Sequence, residues 1–122
     1  MTKYAAHLIQ VVRFRDGVQD HFPYYENVVL IEAETDDEAF EIANEYGRAE
    51  AADDDPSFRW GDRPAFWEFA GIRKLIECRE PCDDTDPVLS RTELTYSQMS
   101  VRSEADLQKL VDGEAVEVVY QE

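Results

Sequence analysis

The side chains best suited to proton transfer near neutral pH are the two histidines, His7 and His21. A histidine beside a carboxylate can act as a general base, and the candidate carboxylates are Glu26, Glu32 and Glu68. His7 with one of them would give a small enzyme or ligand-binding domain whose pocket lies between sheet and helix. A half-buried histidine with a structural role accounts for the same residue, so both interpretations stay open.

The two cysteines, Cys78 and Cys82, lie close together in sequence without a further cysteine or histidine nearby. A structural zinc ion needs four nitrogen or sulfur ligands, and both histidines are remote in sequence. We therefore expect reduced thiols, with half of a zinc site or a redox pair as the alternative. The sequence has no P-loop, glycine-rich dinucleotide turn, His-Glu-x-x-His or Gly-x-Ser-x-Gly motif. No catalytic residue, metal or cofactor is predicted.

Acidic residues gather in two predicted loops. A calcium loop needs oxygen ligands at alternating positions and a glycine at the bend, and Pro56 and Arg59 interrupt that spacing in the first loop. A solvated loop is therefore a better interpretation of both clusters than a cation site. The first cluster comprises Asp53, Asp54, Asp55 and Asp62, and the second comprises Asp83, Asp84 and Asp86.

Aromatic side chains accompany the first acidic loop. Trp60 lies close to Arg59, Asp62 and Arg63, which is the composition of an interface hot spot. A loop folded back on its own sheet needs the same residues. We interpret Trp60 and the two acidic clusters as a candidate partner-binding surface, with that structural role as the alternative.

The chain carries 28 acidic and 12 basic residues, which gives a net charge of −16. This charge repels phosphates and anionic lipids, so direct binding to nucleic acid or to a membrane is not expected. A negative face can instead attract a basic protein and fix its orientation. The favoured function is a non-catalytic binding module that offers an acidic and aromatic surface to such a partner, as an immunity protein or a DNA mimic does. General solubility and a high-salt cytoplasm explain the same charge.

The length and apolar content of the chain, 122 residues and 43% hydrophobic, suit a single globular domain over residues 1–122. No apolar stretch approaches the ~18 residues of a membrane span. The N-terminal segment lacks the apolar core of a signal peptide. These features predict a cytoplasmic protein.

The elements that position the candidate residues have local signals. Asp16-Gly17 suits a tight hairpin turn, and Thr35 with Glu38 forms a capping box at the start of a helix over residues 36–50. Ser103 caps a second, shorter helix that ends before Gly113. The strands are predicted at residues 4–14, 22–34, 65–78, 88–102 and 116–120, with a bulge at Ala70-Gly71.

Taken in order, these elements predict an α+β fold with the order β-β-α-β-β-α-β. We expect a single, mainly antiparallel sheet in which residues 4–14 and 22–34 form one hairpin and residues 65–78 and 88–102 form another. Both helices are expected to pack on one face of this sheet. An edge strand at residues 116–120 could pair with a second copy, which makes a structural homodimer a further alternative.

Three segments of the chain, in their order along it, resemble a family of bacterial domains of unknown function. They are Tyr4-Ala5-Ala6 and the residues up to Ile9, Ile31-Glu32-Ala33-Glu34-Thr35 leading into the capped helix, and Trp67-Glu68-Phe69 and the residues up to Ile72. These are strand and helix-start patterns, and the likeness covers most of residues 4–76. The resemblance implies a compact bacterial α+β domain and carries no assigned activity.

Overall fold

A computed structural model of the protein describes residues 1–53, 55–78 and 91–120. The described part of the chain contains strands of very different length and two helices, one on each side of the sheet. The strands are β1 (Thr2–Phe14), β2 (Phe22–Ala33), β3 (Arg59–Trp60), β4 (Arg63–Cys78), β5 (Thr92–Val101) and β6 (Val119–Tyr120), and the helices are α1 (Asp36–Ala52) and α2 (Glu104–Val111).

The strands form one antiparallel sheet in the order β3-β4-β1-β2-β5-β6. The predicted α+β class and single antiparallel sheet are confirmed, and so is the hairpin of β1 and β2. The predicted element order lacked the short strand β3. The second predicted hairpin is wrong, because β4 pairs with β1 and β5 pairs with β2. These pairings satisfy the backbone groups on both outer edges of the first hairpin, which would otherwise stay open.

The centre of the sheet is buried on both faces. In β1, residues 8–12 are all buried, and successive side chains of a strand point to opposite faces. Leu8 and Val29 belong to the core under α1, whereas Ile9 and Val11 belong to the core under α2. The prediction that both helices pack on one face is therefore wrong, because an unbroken buried run needs a cover on each side. We call the two sides the α1 face and the α2 face.

Strand β4 carries the predicted bulge at Ala70-Gly71. Its register against β1 shifts between Ile9 and Gln10, which face Gly71 and Phe69. Gly71 has a φ of +147°, and a Cβ atom there would lie 2.6 Å from Cγ1 of Val111 in α2. Glycine thus permits both the backbone conformation of the bulge and the close approach of α2.

Both helices begin at the predicted caps. The Thr35 hydroxyl accepts a hydrogen bond from the backbone N–H of Glu38, and the Ser103 hydroxyl accepts one from that of Asp106, each at 3.1 Å. Helix α1 extends to Ala52, slightly beyond the predicted end at residue 50. Neither helix in the described part of the chain is long and apolar enough to cross a membrane.

Strand β6 lies at one edge of the sheet and is shorter than predicted. Among the described residues, Val119 and Tyr120 pair with β5, whereas the sequence predicted a strand over residues 116–120. Strand β5 starts at Thr92, and residues 88–90 of its predicted range lie outside the described residues. Homodimer formation through this edge stays a prediction.

The loop between β1 and β2 is held against the start of β4 by Arg63. The Arg63 guanidinium donates hydrogen bonds to Asp16 at 3.2 Å and to Asp20 at 3.0 Å. It also lies over the Phe14 ring, 3.6 Å from the ring centroid, where the cation is attracted to the π system. Hydrogen bonds from Arg63 and His21 lower the pKa of Asp20 to about 2.

This contact predicts a loss of stability in acid. Because the pKa of Asp20 is lower in the folded chain than in the unfolded chain, the contact stabilises the fold above the ordinary aspartate pKa of about 4 and is lost as the pH falls through about 2. We expect Asp20→Asn to melt at a lower temperature than the wild type at neutral pH, with the two melting curves converging near pH 2. Asp62→Asn, in the neighbouring turn, is the control. A difference that stays constant down to pH 2 would contradict the assignment.

Candidate functional site

The end of α1 and the turn after it place carboxylates beside the sheet. The backbone N–H and the hydroxyl of Ser57 donate to Oδ1 of Asp55 at 2.9 and 2.7 Å, and these bonds lower the pKa of Asp55. The backbone N–H of Phe58 donates to the carbonyl of Asp55 at 3.0 Å. This turn reverses the chain, so that the Phe58 ring stacks on Trp67 with the ring centroids 5.4 Å apart.

Five rings from separate parts of the chain meet on the α1 face, beyond the C-terminal end of α1. The Tyr25 ring is central, because its centroid lies 5.3 Å from that of Trp67, 5.4 Å from that of Tyr96 and 6.2 Å from that of Trp60. The tyrosines stack nearly in parallel, at 15°, whereas the Trp60 and Trp67 rings are nearly perpendicular, at 84°. We call this group the aromatic cluster: Tyr25, Phe58, Trp60, Trp67 and Tyr96.

Two cavities open between the aromatic cluster and the end of α1. The larger, about 310 Å³, combines three carboxylates with three aromatic rings, and the smaller, about 120 Å³, combines two amides and one carboxylate with two rings. They share Glu50 and Trp67, so they form one continuous acidic and aromatic surface. The larger cavity is lined by Glu50, Asp53, Asp55, Phe58, Phe66 and Trp67, and the smaller by Gln10, Tyr25, Asn27, Glu50 and Trp67.

The electrostatics of this surface favour a cation. The C-terminal end of a helix carries partial negative charge from its unpaired carbonyl groups, and the last turn of α1 has no basic residue to offset it. Glu50, Asp53 and Asp55 add formal charges at the same end. A positively charged group at this surface would meet both the carboxylates and the negative faces of the aromatic rings.

The smaller cavity contains buried polar groups that are unusual in a protein interior. Gln10 is 6% exposed, and its Nε2 donates to the carbonyl of Gly47 at 2.9 Å. Among the described residues, Oε1 of Gln10 and Oδ1 of Asn27 are buried without a hydrogen-bond partner. A buried acceptor without a donor costs stability, so these oxygens favour a ligand that brings N–H or O–H groups.

The structure brings together part of the predicted partner-binding surface. Asp53 and Asp55 line the larger cavity, and Trp60 lies in the adjoining aromatic cluster. Asp62 instead lies exposed in the turn between β3 and β4. The remaining predicted members, Asp54, Asp83, Asp84 and Asp86, lie outside the described residues.

Sequence reasoning missed the polar lining of the smaller cavity. Gln10 interrupts the apolar run of residues 8–12, which is a visible signal for a buried polar group. Asn27 and Glu50 have no comparable signal, because only strand pairing and the packing of α1 bring them beside Gln10 and Trp67.

The predicted pocket residues around His7 separate into different places on the molecule. Nδ1 of His7 lies 2.9 Å from Oε2 of Glu26, and both side chains are 16% exposed. Glu68 instead accepts a hydrogen bond from Arg13, and Glu32 lies opposite Lys3 in the register of β1 and β2. Of the predicted carboxylates, Glu26 is therefore the one that His7 contacts.

The His7–Glu26 pair lies beside Arg73, which holds the end of α2 on the sheet. Glu26 lies 3.8 Å from Nε of Arg73, and Nη1 of Arg73 donates to the carbonyl of Leu110, near the end of α2, at 2.8 Å. A cation at this position also stabilises the negative end of the helix. His7 is not among the residues lining the two cavities above. A ligand pocket near His7 stays a prediction.

Metal ligands do not cluster in the described part of the chain, where no three histidine, cysteine or acidic side chains are placed to hold an ion together. Cys78 is a free, exposed thiol at the end of β4. Its predicted companion, Cys82, lies outside the described residues. The paired-cysteine alternatives, a half zinc site or a redox pair, therefore stay predictions.

The fold and its surface define a strand-rich α+β domain with one antiparallel sheet, a helix on each face and an acidic and aromatic cavity at the end of the first helix. The chain belongs to the family described as Domain of unknown function (DUF4288), whose model matches residues 3–90. The resemblance to an uncharacterised domain family is thereby confirmed. No curated protein and no solved structure matches the chain. All residues that line the two cavities lie within the matched range, whereas α2 and β6 lie beyond it.

Proposed function

We propose that this protein is a non-catalytic binding module whose acidic and aromatic surface binds a basic protein. The observation that carries the proposal is the larger cavity, which Glu50, Asp53 and Asp55 line together with the half-buried rings of Phe58 and Trp67. Aromatic side chains supply apolar contact area, and carboxylates beside them attract and orient a cationic partner.

Three features support a basic partner over a nucleic acid or an anionic ligand. The net charge of −16 repels phosphates at long range, and the C-terminal end of α1 adds to the repulsion locally. Guanidinium groups already stack on aromatic rings within this chain, since Arg15 lies over Phe66 at 5.3 Å from the ring centroid. A partner cation would use the same chemistry on the rings that remain accessible.

Binding can be measured with the protein's own tryptophans, because both of them, Trp60 and Trp67, lie in the aromatic cluster. The probe is a short peptide of alternating arginine and glycine with blocked termini. We expect it to change the tryptophan emission at low ionic strength and to bind more weakly as sodium chloride is raised toward about 0.5 M. An unchanged emission spectrum, or binding that ignores salt, would refute the proposal.

A matched pair of variants separates this surface from general attraction by a negative protein. The triple variant Glu50→Gln, Asp53→Asn and Asp55→Asn removes three charges at the surface, and we expect it to weaken peptide binding by about tenfold. The control removes three exposed charges elsewhere, on the outside of α1 and at the end of β4. It combines Glu41→Gln, Glu45→Gln and Glu77→Gln. Equal weakening by both triple variants would mean that no particular surface is used.

A further inference from the structure

The smaller cavity has a donor requirement that the larger one lacks. Gln10 lines this cavity. Its amide group cannot rotate by 180° without losing a hydrogen bond, because Nε2 donates to the carbonyl of Gly47 in α1. Oε1 is therefore fixed as an acceptor. Oδ1 of Asn27, from the neighbouring strand, is the second buried acceptor without a partner among the described residues.

The walls of the smaller cavity suit a flat, positively charged group. Tyr25 and Trp67 meet at an interplanar angle of 63°, which gives two aromatic walls, and Glu50 supplies the negative charge. The volume of about 120 Å³ exceeds the ~10–15 Å³ that one water molecule needs in such a cavity. A guanidinium, with one carbon and three nitrogens, is among the smallest cationic groups that a protein partner can offer.

We propose that this cavity receives the guanidinium of an arginine side chain from the basic partner, an inference that rests on the proposed function. A guanidinium carries five N–H donors in one plane, so it can reach both amide oxygens and the carboxylate while lying against an aromatic ring. It is also more weakly hydrated than an ammonium, which makes its burial less costly. A lysine offers a point charge to Glu50 but fits the planar set of acceptors poorly.

The test compares three peptides on the wild-type protein by tryptophan fluorescence. They have the same length and alternate glycine with arginine, lysine or citrulline, the neutral analogue of arginine. We expect the arginine peptide to bind about tenfold more tightly than the lysine peptide, because hydrogen bonds from a charged donor to the two oxygens are lost with lysine. We expect the citrulline peptide to bind most weakly, since it lacks the charge.

The variant Gln10→Met removes the fixed acceptor while keeping an unbranched side chain of similar length. We expect it to bind the arginine and lysine peptides equally. Its melting temperature should stay close to that of the wild type, because the lost hydrogen bond to Gly47 is offset by the removal of a buried acceptor without a donor. Gln108→Met, on the α2 face, makes the same substitution away from the cavity and should retain the preference for arginine.

The outcomes separate this inference from the proposed function. Equal binding of the arginine and lysine peptides to the wild type would overturn the arginine site while leaving a general basic partner in place. A preference for arginine that survives Gln10→Met would also overturn it, because the selectivity would then come from another part of the surface. Binding of none of the peptides, or citrulline binding as tightly as arginine, would refute both proposals.

Discussion

Replacing Gly71 with alanine is expected to lower the free energy of unfolding by about 3 kcal/mol. The first cause is the backbone, because a φ of +147° is readily available to glycine alone. The second is packing, since the new methyl group would lie 2.6 Å from Cγ1 of Val111. Helix α2 would have to move away from β4, which would disturb the core on the α2 face. Urea denaturation followed by circular dichroism measures the loss.

Two further variants separate the causes. Gly61 also has a positive φ, +63°, but nothing lies within 4 Å of its Cβ position, so Gly61→Ala should show backbone strain alone, about 1 kcal/mol. Adding Val111→Ala to Gly71→Ala should restore part of the stability by relieving the contact. The packing argument fails if Gly71→Ala costs no more than Gly61→Ala.

Replacing Gly47 with alanine is expected to destabilise the protein by about 2 kcal/mol, although alanine is the better helix former. Gly47 is buried in α1, and a Cβ atom there would overlap the ring of Phe69 on β4. Alanine in a helix ordinarily gains about 1 kcal/mol over glycine. The overlap must outweigh that gain, because the ring lies in the core between α1 and the sheet.

The sign of the Gly47 effect is the critical observation. Ala49→Gly, on the exposed side of α1, measures the helix propensity alone and should cost about 1 kcal/mol. Combining Gly47→Ala with Phe69→Leu should recover stability, since the smaller side chain makes room for the methyl group. A Gly47→Ala protein that is more stable than the wild type would show that the ring moves aside at little cost.

The sequence predicted those parts of the fold that depend on a few neighbouring residues. The caps at Thr35 and Ser103, the turn at Gly17 and the bulge at Gly71 all have local chemical causes, and all are present. Strand pairing has no such local cause. Nothing in the residues of β4 indicates that it pairs with β1 and not with β5, because the pairing is decided by which open edge is available.

The two-sided cover of the sheet was, by contrast, visible in the sequence. A strand that faces a core on one side alternates between apolar and polar residues, whereas Leu8 to Val12 shows almost no alternation. The placement of both helices on one face did not take this apolar run into account. Part of the candidate site was also predictable from the sequence. Asp53, Asp55 and Trp60 lie close together in sequence and could be identified as one group. The approach of Gln10 to Glu50 could not, because it depends on the packing of α1.

Successive side chains of β1 lie on opposite faces of the sheet, and this alternation limits which insertions and deletions the strand can accept during evolution. Ile9 and Val11 belong to the core under α2, while Gln10 between them lines the cavity on the α1 face. A one-residue deletion within residues 8–12 would move the side chains on one side of the deletion to the opposite face of the sheet. An apolar side chain would then lie in the cavity, and an amide would lie beneath α2. The number of residues in this segment is therefore constrained independently of their types. The turn at residues 15–21 has no such alternation, and its length is limited by the contacts of Asp16 and Asp20 with Arg63.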